Sequence, residues 1–516
     1  MFCSSLPLKW EKLDIMDLLG YRWLVDAYNL PNHPLPLASV LGTRMKEHTW
    51  PNGSVERTFP AHYKPAKDDL AHHLEFALKH EGVHLAVLAD LFATIDPTLV
   101  ASMVEAKPTG RYARLAGFFY EWLTGKELSL LVTVGGNYVD ALDPKKYMVA
   151  DESTRVPRWR VRDNLLGHAS YCPLVRRSKV LEAATSAPLE IEIENLMRDF
   201  PPELFSRAND YLYLKETRST YHIEREKMPQ ASRRERFVAL LREAGADNLW
   251  TLLQEQSLKE KHNLIVDPRY AAEGFRTDQS YVGEQLPNFT QRIHYICPPP
   301  EWVPSMMEAL ASCAEASREV PPLVRAALIA FSFVFIHPFE DGNGRLHRFL
   351  IHDILHRGGL MKTGLMLPVS ATMLRLMGEY DKALEGYSRS LLAMADYEID
   401  DAGRLTLLNA EQLRSYFQYP DLTTQSEYLA ETVATTIRED VSEELRFLRN
   451  YDAARAAVLE AVDLPDRRCD LLLQLLHQNQ GKLSKSKRGQ FSEITDEELE
   501  RIETAFVGAF KVTETE

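Results

Sequence analysis

The chain has 516 residues, 45% hydrophobic and 26% charged, with a formal net charge of −14. That length can bury several cores, and the acidic balance argues against a chain built to coat nucleic acid or anionic lipid. The five cysteines, Cys3, Cys172, Cys297, Cys313 and Cys469, are far apart with no CxxC pair, which fits a reduced compartment rather than a disulfide framework or a zinc knuckle.

The first residues, MFCSSLPLKWEKLDIMDLLGYRW, show no apolar core behind an early basic region, so no signal peptide is expected. No stretch approaches the ~20 apolar residues that cross a bilayer. Residues 326–336 are the most apolar and read as a buried core helix. The expected location is the cytoplasm, and export as an effector through a specialised secretion system is compatible with it.

In chain order, residues 1 to about 130 read as helical, with apolar residues at three- and four-residue spacing through AHHLEFALKHEGVHLAVLADLFATI. Residues from about 131 to 178 read as irregular, with LSLLVTVGG as one strand ending in a turn. Helix resumes near 180. Residues 206–228 form one charged amphipathic helix, and RRERFVALLREAG another that stops at Gly245. Residues 274–300, GFRTDQSYVGEQLPNFTQRIHYICPPP, alternate in β-prone fashion around a glycine and read as a hairpin or flap. Residues 301–420 read as helical. The remainder is helical and charged, with a Thr495–Glu498 capping box. Soft boundaries near 180 and 405 give three parts: a helical 1–180, a central 181–405 and a helical 406–516.

The stretch FSFVFIHPFEDGNGRLHRFLIHDIL, residues 331–355, carries the chemistry. An apolar helix delivers His337 to its end, and Pro338 forbids simple continuation. Asp341-Gly342-Asn343-Gly344 makes a tight turn, and a new helix opens at about Gly344 and runs to Gly358-Gly359. Two glycines at a helix start let the backbone approach a ligand, and the helix N-terminus favours an anion. Arg345 and Arg348, three residues apart, share a side and suit a di- or triphosphate. Asp341, an acid in an anion-seeking loop, suits a Mg²⁺ riding on the phosphates. His337 can take a proton near neutral pH. Together these spell phosphoryl or nucleotidyl transfer.

HPFEDGNGRLHR resembles the signature of the Fic family, H-x-F-x-D/E-G-N-G-R-x-x-R, at His337, Phe339, Asp341, Gly342, Asn343, Gly344, Arg345 and Arg348. The resemblance covers about 206–390. It implies a mainly α fold: a Fic helical core with a small β-hairpin flap, flanked by N- and C-terminal helical domains. It further implies that ATP and Mg²⁺ are required. His337 takes the proton of a Ser, Thr or Tyr hydroxyl attacking the α-phosphate. Asp341 holds Mg²⁺, Gly342, Asn343 and Gly344 form the anion nest, Arg345 and Arg348 grip the outer phosphates, and Phe339 fixes the loop. Relatives that act as kinases carry Lys at the position of Gly344. Gly274-Phe275-Arg276, with Thr277 after it, matches the start of a flap that pairs with the target backbone. Thr220 and Glu224 match an inhibitory helix of pattern S/T-x-x-x-E-G/N, except that Arg225 stands where the pattern has Gly or Asn. In that reading Glu224 pairs with Arg348 and denies it to the γ-phosphate. The adenine would lie near Tyr380 and Leu384. The implied partner is a protein with an acceptor hydroxyl. Self-modification and a homodimer are both compatible. Within the same loop chemistry the alternatives are transfer of another nucleotide, phosphocholine transfer or removal of AMP. Outside it, the alternative is a regulator that only senses nucleotide.

The remaining signals are weaker. His352 and His356 echo a zinc helix without its glutamate. His72 and His73 read as bystanders, and the KLSKSKR run, residues 482–488, as a solvated loop.

Overall fold

The computed structural model describes residues 18–50, 53–186, 189–198, 200–226, 231–286, 291–361 and 364–511. The protein is mainly α, with small sheets. The chain divides into two compact units. The first comprises residues 1–186, 242–355 and 377–430, and the second 187–241, 356–376 and 431–516.

The N-terminal part of the first unit departs from the all-helical expectation. Its helices Leu70–Phe76, Leu85–Thr94, Pro97–Ala106 and Arg111–Thr124 share a core in which Leu74, Leu88, Leu91, Phe119 and Trp159 are buried. Ahead of them lies a four-stranded sheet, ordered Leu18–Leu19, Leu37–Gly42, Val55–Pro60, Lys46–Thr49, whose central pair is parallel. LASVLG and VERTFP are β-prone but short, and parallel pairing joins segments that no tight turn marks. The strand expected in LSLLVTVGG does not form. Its backbone donors go elsewhere: Leu128 N–H to Glu121 Oε1 at 2.9 Å, Leu131 N–H to Glu105 Oε1 at 2.7 Å and Gly135 N–H to Pro108 O at 3.3 Å.

The same unit contains the helices around the signature. Pro322–Ile336 is apolar on all sides and buried almost throughout, as a core helix should be. Val303–Ala316 packs along it. Residues 377–430 belong with this unit. Phe335 and Tyr387 stack at 4.3 Å, Tyr416 Oη donates to Tyr387 O at 2.6 Å, and Gln425 Nε2 donates to Ala383 O at 2.8 Å. Within 301–420 a hairpin pairs Tyr397–Ile399 with Leu405–Leu407, where helix was expected.

In the second unit the helix Pro202–Ile223 is anchored along its length. Asn209 donates to Gly364 O and accepts from Met366 N–H, both at 2.7 Å. The buried Glu216 accepts Ser370 N–H at 2.8 Å, capping the start of Val369–Arg375. The C-terminal helices Ser442–Ala461, Asp466–Gln478 and Asp496–Lys511 close on Leu472, Leu476, Phe491 and Phe506. The capping box forms as expected, with Thr495 N–H to Glu498 Oε2 at 2.8 Å and Glu498 N–H to Thr495 Oγ1 at 3.2 Å.

One buried acid in the first unit makes its stability depend on pH. Glu81 is 6% exposed and accepts Tyr21 N–H at 2.7 Å. It lies so close to Gly20, which has φ +57°, that a Cβ there would sit 2.2 Å from the carboxylate. Burial pushes its carboxyl up to about 7. The folded state therefore holds a proton that the unfolded chain releases near the ordinary value of 4.5. Stability from this group is present below that value and is lost as pH rises toward 7. Glu81→Gln, which keeps the acceptor, should raise stability by on the order of 3 kcal/mol at pH 8 and by far less at pH 5. Melting curves of both proteins at the two pH values check this, and a difference that does not vary with pH would contradict it.

Candidate active site

The helix Pro322–Ile336 ends because Pro338 disfavours a helical residue before it. His337 instead turns left-handed, at φ 54° and ψ 60°, a costly conformation for a side chain of this size. Three bonds hold it there. His337 N–H donates to Phe333 O at 2.9 Å, the ring Nδ1 to Val334 O at 3.1 Å, and Arg276 Nε to His337 O at 2.7 Å. A carbonyl only accepts, so Nδ1 carries a proton here, and in the neutral form of the ring the lone pair would lie on Nε2.

The loop that follows is locked from inside. Phe339 is fully buried, stacked on His262 at 4.5 Å and edge-on to Phe275 at 5.6 Å. Asn343 answers both polar groups of Phe339, accepting its N–H at 3.1 Å and donating to its carbonyl at 2.7 Å. His262 Nε2 contacts Asp341 O at 3.0 Å. Gly342, at φ +77°, passes so close to this helix that a Cβ would lie 2.9 Å from Val266 Cγ1 and 3.0 Å from the His262 ring. The helix Asn343–Arg357 then begins, with Leu346 N–H bonded to Gly342 O. The N–H groups of Asn343, Gly344 and Arg345 precede the first intrahelical donor and face outward from the helix start, where an anion is favoured.

The charges are arranged with cations in and the anion out. Arg345 and Arg348 are each 1% exposed. Arg345 Nη2 lies 3.1 Å from Asp341 Oδ2, and the Asp341 side chain is 56% exposed. Asp341 Oδ1 also accepts Gly342 N–H at 2.6 Å. Arg345, expected on the phosphates, is thus engaged by Asp341 and by Ile265 O at 3.4 Å. Two guanidinium groups are thus buried on the first turns of this helix, where planar forks can bind carboxylate or phosphate oxygens in pairs. The neighbouring His347 is buried with Nδ1 donating to Ala330 O at 2.8 Å, and burial pushes its pKa down to about 3.

Other expected residues fall elsewhere. Tyr380 is 4% exposed, its ring 6.3 Å from His347 and 5.9 Å from Tyr428. The flap is a hairpin of Tyr281–Gln285 and Gln291–Ile296 with a bulge at Val282/Gly283; residues 287–290 of that expectation lie outside the described ones. Phe275 and Arg276 face inward and precede the strands. Arg276 is 4% exposed, and its backbone N–H donates to Pro338 O at 2.8 Å. Thr277 is exposed.

Thr220 and Glu224 belong to the second unit and the signature loop to the first. Thr220 is fully buried, and Glu224 is exposed at the end of the Pro202–Ile223 helix. The end is a Schellman motif: Glu226 N–H bonds Tyr221 O at 3.1 Å and Arg225 N–H bonds His222 O at 3.0 Å. Arg225 takes the left-handed position at φ 54°. Gly and Asn adopt this conformation at little cost.

His262 and the clamping role of Arg276 are not legible in the signature. The signal for His262 is its place on an apolar stripe, with Leu258, His262 and Ile265 all buried on Glu255–Ile265.

The Fic/DOC family model matches residues 252–355. The chain is 36% identical over 96 residues to the protein adenylyltransferase Fic of Drosophila mojavensis, covering 18% of this chain and 17% of that protein. It is 35% identical over 108 residues to the protein adenylyltransferase fic-1 of Caenorhabditis briggsae, covering 19% and 18%. The chain thus spans less than a fifth of the length of these curated relatives. A solved Fic family protein from Desulfovibrio desulfuricans matches at 19% identity and a TM-score of 0.37, over 60% of this chain and 90% of that one. A Fic domain containing signalling protein from Bacteroides thetaiotaomicron matches at 17% identity and 0.33, over 51% and 97%. Residues 252–355 are a Fic domain.

Two substitutions test this geometry. Gly342→Ala should lower stability by roughly 1–3 kcal/mol, because both the backbone and the space reject a methyl group; melting curves measure it, and a wild-type melting temperature would contradict it. Arg225→Gly should raise stability by roughly 0.5–1 kcal/mol by relieving the left-handed cap, and a lower melting temperature would count against that account.

Proposed function

We propose that the chain is a protein adenylyltransferase that moves AMP from ATP onto a Ser, Thr or Tyr hydroxyl of a protein, held low by Glu224. The observation that carries the reading is the left-handed break at His337. It sets the imidazole a few residues ahead of the start of a helix whose first turns carry two buried arginines. The names of the relatives matched over the Fic domain support the same reading.

In the proposed reaction His337 Nε2 accepts the proton of the attacking hydroxyl. The hydroxyl oxygen bonds to the α-phosphorus, the bond from that phosphorus to the bridging oxygen breaks, and pyrophosphate leaves. The outward N–H groups of Asn343, Gly344 and Arg345 stabilise the charge that develops, and Arg345 and Arg348 draw the outer phosphates. Among the described residues no group of three or more His, Cys, Asp or Glu is placed to hold a metal alone. The exposed Asp341 carboxylate fits an ion that arrives with the nucleotide, since Mg²⁺ is usually held by one or two carboxylates together with substrate phosphates. Asp341 would hold Mg²⁺, which when bound neutralises phosphate charge. This chain keeps Gly344, which favours AMP transfer over the kinase mode of relatives with Lys there.

Glu224 ends its helix as an exposed carboxylate, chemically suited to pair with an arginine and to repel a triphosphate. Partners in this reading are a protein with an acceptor hydroxyl and the chain itself. A cytoplasmic location is part of the same proposal. No single helix among the described residues is long and apolar enough to cross a membrane.

Wild type, Glu224→Gly, and Glu224→Gly combined with His337→Ala, each incubated with Mg²⁺ and α-labelled ATP, test the reading through label on protein. Strong labelling by the single variant alone is expected, with the double variant lower by about 10²–10⁴-fold. Equal labelling by wild type and Glu224→Gly would remove the inhibitory role. Labelling that survives His337→Ala would remove the base, and none from any protein would remove the transferase.

A further inference from the structure

Arg276 is buried without a carboxylate among its hydrogen-bond acceptors. Its guanidinium donates to three backbone carbonyls: Nε to His337 O at 2.7 Å, Nη1 to Asp278 O at 2.9 Å and Nη2 to Pro298 O at 2.5 Å. Its own N–H adds Pro338 O at 2.8 Å. These acceptors come from separate places. His337 and Pro338 are the end of the base-bearing helix, Asp278 leads into the first flap strand and Pro298 follows the second. Burial lowers the guanidinium pKa, so a charge is kept here at a cost, and only a planar fork with divergent donors reaches all three oxygens.

The neighbours make this a rigid coupling. Gln279 Nε2 donates to Cys297 O at 2.7 Å and Cys297 N–H to Ser280 O at 3.1 Å, closing the root of the hairpin. Tyr295 Oη, on the second strand, donates to Phe335 O, two residues before His337. Glu255 Oε1 accepts Phe275 N–H at 2.7 Å and fixes the approach to Arg276. Without the clamp, the residue before Pro338 would relax toward the extended backbone that proline favours in its predecessor, swinging the imidazole off the attack line.

The geometry points to Arg276 as a positioning residue that holds His337 in its left-handed conformation and ties that conformation to the root of the flap. It rests on the transferase reading and deepens it: a target strand docked on the flap would bear on the base through one guanidinium. The arginine touches neither nucleotide nor target.

Arg276→Lys and Arg276→Gln, each in the Glu224→Gly background, provide the test, with melting curves to confirm folding. The prediction is a fall in kcat of about 10²-fold, the loss typical of a small misplacement of reacting groups. KM for ATP should stay within about twofold, because the Gly342–Arg348 pocket is untouched. In protein labelled with ¹³C at histidine Cε1, the His337 signal, assigned by its loss in His337→Ala, should move in both variants while the other histidine signals hold. Unchanged kcat with an unmoved His337 signal would overturn the proposal, as would equal losses of kcat and ATP affinity, which would mark a merely structural arginine. If the Glu224→Gly parent transfers no label, the transferase reading fails, and the histidine signal still decides whether Arg276 sets His337.

Discussion

The site depends on how the backbone crosses between two buried helices without leaving a polar group unanswered. An apolar helix ends against a proline, and the next helix starts only a few residues later. Buried backbone groups in such a crossing must be paired. Asn343 pairs both groups of Phe339, His262 takes Asp341 O, and Arg276 takes the carbonyls of His337 and Pro338. Once these are satisfied the loop has little freedom left. The left-handed His337, the glycine at position 342 and the outward N–H groups of the second helix then follow together.

That same constraint explains the charge distribution. Side chains recruited to answer buried carbonyls must be donors, so the loop is backed by His262, Arg276 and Arg345. Its acids, Glu340 and Asp341, are exposed, and Asp341 pairs with Arg345. The loop therefore has buried cations behind it and an exposed carboxylate in front.

The parts legible in the sequence are the local ones. The His337–Arg348 segment is contiguous, so its helix break, turn and helix start could be read from Pro338, Gly342 and Gly344. The same holds for the Thr495–Glu498 capping box and for the flap hairpin. What was not legible depends on residues far apart in the chain. Arg276 looks like a flap residue until Pro298 and His337 are seen to surround its guanidinium. Tyr380 lies on the expected helix, but its ring is closed against His347 and Tyr428. The N-terminal sheet pairs Leu37–Gly42 in parallel with Val55–Pro60, and no local turn signal announces that. Arg225 departs from the resembled inhibitory pattern in residue type, and its left-handed backbone depends on the helix end around it.

The central claim is that this loop directs attack to the α-phosphorus of ATP. The most direct measurement gives Glu224→Gly two parallel samples of ATP, one labelled at the α and one at the γ position, and follows both protein and released products. The account predicts that the α label stays on protein while the γ label leaves as pyrophosphate. A γ label on protein would contradict it, and would mean that the nucleotide binds the other way round.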